Sequence, residues 1–99
     1  MLNRVSIVGL LKDIDEKNSL VRYIEVKRNY KNSSGQYDID LFPCIMWSKT
    51  NKCELFSYQN GTLVALDGRL ELIEERVLII VESITYLLGR KIEINTRGS

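Results

Sequence analysis

GTLVALDGRLEL, residues Gly61 to Leu72, alternates so regularly that it reads as one long strand. Val64, Leu66, Leu70 and Leu72 fall in a single row with Gly68 among them, and such a row points one face of a strand at a core. Glycine inside a strand packs nothing and marks a bulge, a bend or the close approach of another backbone, as at the corner of a small barrel. Gly68 therefore predicts a strand that curls. The Asn60-Gly61 pair supplies the turn that launches it. A strand of an ordinary sandwich would share the alternation.

The remaining chain supplies partners for that strand. Leu2 to Leu11 carries Val5, Ile7, Gly9 and Leu11 in one row, and Gly9 predicts a second curved strand. Lys12 to Ser19 is polar and without period, a turn. A second strand runs from Leu20 to about Tyr30, with Arg22, Ile24, Val26, Arg28 and Tyr30 in one row and Tyr23, Glu25 and Lys27 in the other. Lys31 to Gln36, KNSSGQ, is a loop. The third strand, Tyr37 to Lys49, sets Ile39, Leu41, Pro43, Ile45 and Trp47 against Asp38, Asp40, Phe42, Cys44 and Met46. Pro43 cannot donate to a ladder, which places it at an edge or a bulge. Asn51 with Glu54 three residues on predicts the cap of one short helix carrying Cys53, Leu55, Phe56 and Tyr58. Glu74-Glu75 makes a tight acidic turn, and the β-branched run Arg76 to Leu88 is a fifth strand.

Five strands with a short helix between the third and fourth is the element order of an all-β, five-stranded Greek-key barrel of the OB type. An SH3-like barrel or a small sandwich also shows five short strands. The domain is expected over residues 1–88, with Gly89 to Ser99 a flexible tail or a cloning remnant.

With 99 residues, 44% of them hydrophobic and 27% charged, the chain fits one domain. A net charge of +1 gives almost no long-range field, so a polyanion must be held by local clusters of Lys and Arg. Cys44 and Cys53 lack a CxxC or a histidine beside them, which argues against a metal site and for reduced, buried thiols in a cytoplasmic protein. No segment is long enough to span a membrane, and the N-terminus lacks a signal peptide's apolar core. With no histidine, no Gly-rich phosphate loop and only the pair Asp38 and Asp40 to suggest acid–base chemistry, the chain reads as a non-enzyme without a cofactor.

Three segments, MLNRVSIVGLL, RNYKNSSGQYDIDLFPCIMWSK and NGTLVALDGRL, resemble the bacterial single-stranded DNA-binding protein family in order and spacing, from Met1 to about Leu88. The resemblance implies an OB barrel, a homo-oligomer (dimer or tetramer), no catalysis, and bases stacked on aromatic side chains in a basic groove. Position by position, Tyr30 and Trp47 match stacking aromatics, and Leu41 stands where many members have a large aromatic, so one platform is missing. Arg4 and Lys49 match basic positions. From the residues themselves, RYIEVKRNYK interleaves Arg22, Lys27, Arg28 and Lys31 with Tyr23 and Tyr30, the mixture a single-strand groove needs. Leu41 and Trp47, six apart, share a face of a regular strand. The competing reading makes Tyr30 and Trp47 core or interface aromatics.

Departures from the family are equally informative. Glu71, Glu74 and Glu75 follow the Gly-Arg-Leu motif where basic residues and an aromatic are usual, and are expected at the mouth of the groove that holds Trp47. Gln59-Asn60 replaces basic residues, the last loop is very short, and the family's acid-tipped linker that recruits replication and repair proteins does not follow within these 99 residues, as expected of a truncated chain or of a specialised relative. Two functions follow: sequence-tolerant binding of single-stranded DNA in replication, recombination or repair, or a protein-interaction module like the short, tailless primosomal relatives. Apolar residues on both rows of the first and last strands predict assembly with further copies.

Overall fold

Each alternating run folds as a strand in the computed structural model, which describes residues 3–88. These are β1 (Val5–Ile14), β2 (Val21–Lys31), β3 (Tyr37–Met46), β4 (Leu63–Ile73) and β5 (Arg76–Leu88), with a single helical turn, α1 (Glu54–Ser57), between β3 and β4. The strands close into a barrel in the order β1-β2-β3-β5-β4, antiparallel except for β3 and β5. That parallel contact is short, Cys44 to Met46 against Ile79 to Val81, and it begins one residue after Pro43. Pro43 therefore sits where its missing N–H faces no strand, the edge position its chemistry requires.

The two strand glycines do what their context predicts. A Cβ on Gly68 would overlap the carbonyl oxygen of Ile80, and one on Gly9 would overlap that of Glu25, so neighbouring backbones press against both. The ladder between β4 and β5 also shifts register between Asp67 and Gly68. A bulge there lets β4 pair with β1 on one side and wrap onto β5 on the other.

Leu11, Ile24, Leu55, Val64, Leu66 and Val81 are sealed inside the barrel, with Leu55 delivered by α1. A second cluster of Val21, Ile45, Leu78 and Ile80 lies on the opposite face of the same strands. Residues 78 to 81 are thus buried on both faces, which explains why that run is continuously apolar instead of alternating.

Several expected details differ. Leu70 and Leu72 share the row of Leu66 but are 41% and 71% exposed. The reason is length: β1 pairs with β4 only from Leu63 to Gly68, and beyond that point the β4–β5 hairpin projects past the barrel. β1 continues to Ile14, three residues into the expected turn, while β3 stops at Met46 and not at Lys49. Asn51 does not cap the helix. Cys53 occupies the N-cap in extended geometry without a side-chain bond, and Thr50 instead takes the local N–H of Lys52 at 3.1 Å, a hydroxyl turn that competes with a longer helix. Cys53 is half-buried and not buried, whereas Cys44 is enclosed and burial pushes its thiol up to about 12. Among the described residues no helix is long and apolar enough to cross a membrane. The expected tail, Gly89 to Ser99, lies outside the described residues.

Candidate nucleic-acid interface

The outward row of β2 and β3 forms the floor of the site. Register pairs Tyr23 with Pro43, Glu25 with Leu41 and Lys27 with Ile39, and residues paired across an antiparallel ladder share a face. The other row carries the buried Ile24 and Cys44, so this one faces out. Ile39 and Leu41 are exposed on it. At its far end Lys31 pairs with Tyr37, and the ammonium groups of Lys27 and Lys31 stand 5.4 and 5.9 Å from the Tyr37 ring centroid. Just beyond the other end of β3, Trp47 is 60% exposed while its N–H donates to the Val81 carbonyl at 2.9 Å. Lys49 follows in a turn with φ 55°, closed by its N–H on the Met46 carbonyl.

A groove of about 930 Å³ opens across this floor, walled by the β1–β2 connection and the β4–β5 turn. Ile14, Ile39 and Leu41 give it apolar surface, while Asp13, Asp15, Glu16, Glu25 and Glu74 outnumber Lys12, Lys17 and Arg76 around it. Part of this charge is cancelled internally. The Tyr23 hydroxyl donates to Asp15 at 2.6 Å, Arg76 donates to the same hydroxyl at 3.0 Å, and Lys12 pairs with Glu25 at 3.4 Å. The Tyr23 hydrogen bond, aided by two backbone N–H groups and Arg76, holds the Asp15 carboxyl below the usual range, and the same bond raises the phenol.

The expected basic residues divide sharply. Arg22 is 3% exposed, and its guanidinium donates to the carbonyls of Lys12 and Leu55 and to Asn60, each at 2.8 Å. It clamps β1, α1 and the loop before β4, and with its donors turned inward it offers nothing to a phosphate. Desolvation lowers its pKa, with Asp13 opposing the shift. Arg28 is exposed but grips both carboxylate oxygens of Asp40 at 3.0 Å and stands 3.7 Å from Asp38. This fork, first among its causes, raises the Arg28 pKa and depresses that of Asp40. Among the described residues Arg4, Lys27, Lys31 and Lys49 have no carboxylate partner. Tyr30, 60% exposed, adjoins Lys31 at the hairpin tip.

Of the acidic residues expected at the groove mouth, only Glu74 lines it. Glu71 is held by Arg69 at 2.7 Å, and the same guanidinium reaches Glu82 at 2.6 Å. Trp47 is not among the lining residues, so the groove and the exposed tryptophan are separate parts of the surface. Tyr37 and the acids of the β1–β2 connection are not among the residues expected at the site. Tyr37 was recoverable from parity, since it shares the odd row of Ile39, Leu41 and Trp47.

A closed five-stranded ring with a helix between β3 and β4 is an OB barrel, and solved structures agree. A deletion mutant of the single-stranded DNA binding protein from Thermus aquaticus superposes with a TM-score of 0.57 at 22% identity, over 91% of this chain and 52% of that one. Sequence takes the comparison further. The chain is 35% identical over 78 residues to single-stranded DNA-binding protein B of Bacillus subtilis, covering 72% of this chain and 69% of that protein. It is 30% identical over 78 residues to single-stranded DNA-binding protein 1 of Streptococcus pyogenes serotype M18, of which it spans 60%. No family model matches. The chain belongs to the single-stranded DNA-binding protein family.

Proposed function

We propose that the chain is a non-enzymatic, sequence-tolerant binder of single-stranded DNA in the cytoplasm, serving replication, recombination or repair. Bases stack on exposed aromatics along β3 and the β2–β3 hairpin, and phosphates are held by Arg4, Lys27, Lys31 and Lys49. The observation that carries this reading is the exposure of Trp47, just beyond β3, and of Tyr30, at the β2–β3 hairpin, each 60% open to water. Core aromatics would not stand in water, and stacking on such rings contributes ~1–3 kcal/mol per base whatever the base. Titration with oligo(dT) should strongly quench the fluorescence of Trp47, the only tryptophan; an unchanged signal with no complex formed rules the reading out.

With Arg22 and Arg28 otherwise engaged, four of the six expected cations remain for phosphates. At roughly −0.7 per phosphate neutralised on single strands, the slope of log K against log salt should be about −3. A second reading, a protein-interaction module, is favoured by the excess of carboxylates around the groove, and a slope near zero would point to it.

Assembly with further copies is supported by the outer face of β1, β4 and β5. There Val8 is exposed in register with Ala65, which pairs with Thr85, and Leu63 pairs with Leu10 and Leu88. Sedimentation at tens of micromolar should show a dimer or tetramer, and monomer alone would contradict it. Residues 1–88 form the domain in this reading and 89–99 an appendage.

A further inference from the structure

We propose that Tyr37, with Lys27 and Lys31, forms a subsite for one nucleotide of the bound strand, standing in for the stacking platform that Leu41 cannot provide. This rests on the single-strand-binding reading above. The ring is 46% exposed on the outward row, two residues from Ile39 and four from Leu41 along the same face. Two ammonium groups hang over it from β2, at 5.4 and 5.9 Å from its centroid. The spacing of those lysines is a product of the ladder. Lys27 pairs with Ile39 and Lys31 with Tyr37, so four steps on β2 match two on β3, and the irregularity folds both lysines back toward one ring.

Neither lysine has a carboxylate partner among the described residues, whereas Arg28 between them is tied to Asp40. The tip of this hairpin therefore carries an aromatic face and two uncommitted positive charges, the two groups that one nucleotide unit requires. In the free protein the ammonium groups occupy the ring faces. Base stacking is roughly two to three times stronger than an exposed cation–π contact, so a base displaces an ammonium from the ring. The long lysine stem then lets the displaced charge swing to the adjoining phosphate.

The test is oligo(dT) binding, followed by Trp47 fluorescence, in Tyr37→Phe, Tyr37→Leu, Tyr37→Ala and the double variant Lys27→Ala/Lys31→Ala. Tyr37→Phe keeps the ring and should bind within about twofold of the unmodified chain. Tyr37→Leu keeps apolar bulk without a π-face and should lose about 5- to 150-fold, as should Tyr37→Ala. The tyrosine variants should leave the salt slope unchanged, and the double lysine variant should make it shallower by about 1.4. Circular dichroism confirms folding, and if the alanine variant unfolds, the leucine variant decides. Equal binding by the unmodified chain and Tyr37→Leu overturns the subsite and leaves the proposed function standing. Absence of oligo(dT) binding by the unmodified chain overturns both. A Tyr37→Leu loss accompanied by the same loss in Tyr37→Phe overturns stacking as its cause.

Discussion

At the scale of single residues, the most consequential side chain is Arg22, a charge that burial makes costly and that three short hydrogen bonds make tolerable. Removing it leaves the carbonyl of Leu55 without its donor inside the barrel, so Arg22→Ala should cost on the order of 3 kcal/mol. Thermal unfolding should then fall by roughly 12–24 °C for a domain of this size. The salt slope of DNA binding, measured well below that transition, should be unaltered; a shallower slope would return Arg22 to the phosphate path. Tyr23 gives a pH-dependent counterpart. Its hydrogen bond is the largest cause lowering the Asp15 pKa, so the folded value lies below the unfolded one near 3.9. The associated stability is present above the unfolded pKa and lost as pH falls through the folded value. Because the phenol's pKa is raised by the same bond, that contribution also fades as pH rises past about 10 and through the folded phenol value. Tyr23→Phe should unfold at a lower temperature than the parent at pH 7, and the gap should close below about pH 4 as Asp15 protonates. A gap that stays constant down to pH 2.5 would mean that the hydroxyl matters for another reason.

Elements show where local pattern and long-range geometry diverge. The β4–β5 turn was legible as a tight turn, but its conformation was not: Glu74 and Glu75 hold φ of 51° and 66°, the pair of left-handed residues of a type I′ hairpin, without the Asn or Gly that usually announces it. Long side chains in that region are strained by about 1 kcal/mol each. Replacing Glu74-Glu75 by Asn-Gly should therefore raise stability by on the order of 1 kcal/mol, seen as a rise of several degrees in thermal unfolding. An unchanged or lower transition would show that the hairpin takes another turn in solution. The five strands and the curling at Gly9 and Gly68 were readable because alternation and a missing side chain are local signals. That Leu70 and Leu72 would stand in water was not, since their row is right and only the length of the neighbouring β1 exposes them. The enclosure of Arg22 was hidden for the same reason. Its neighbours mark it as one of a basic cluster, while its partners at Leu55 and Asn60 lie 33 and 38 residues away.

Across the molecule, charge is separated along one face: Lys27 and Lys31, without carboxylate partners among the described residues, stand over Tyr37 at the β2–β3 hairpin, and carboxylates of the β1–β2 connection gather with Glu25 and Glu74 around the groove. The exposure of Trp47 follows its place in the alternation of β3, but Tyr37 was not among the expected aromatics, and the electrostatics were not legible, because pairing by Asp40, Glu25 and Asp15 determines which cations remain available. If a bound strand runs between Trp47 and the β2–β3 hairpin, it either crosses the acidic groove or skirts it, and charge reversal separates the two paths. Glu16 and Glu74 line the groove, while Glu54 sits on α1 outside it. Each of Glu16→Lys, Glu74→Lys and Glu54→Lys changes the net charge by the same amount, so a purely long-range field would treat them alike. Surface charges farther than a Debye length of about 8–10 Å are largely screened at physiological salt. If phosphates cross the groove, Glu16→Lys and Glu74→Lys should each strengthen oligo(dT) binding by up to about 30-fold, since reversal changes the charge by two units and each unit within about 4 Å of a phosphate in water contributes ~1 kcal/mol. Glu54→Lys should change it less than twofold. Equal gains in all three variants would mean that the strand skirts the groove, leaving that acidic cleft free for a protein partner.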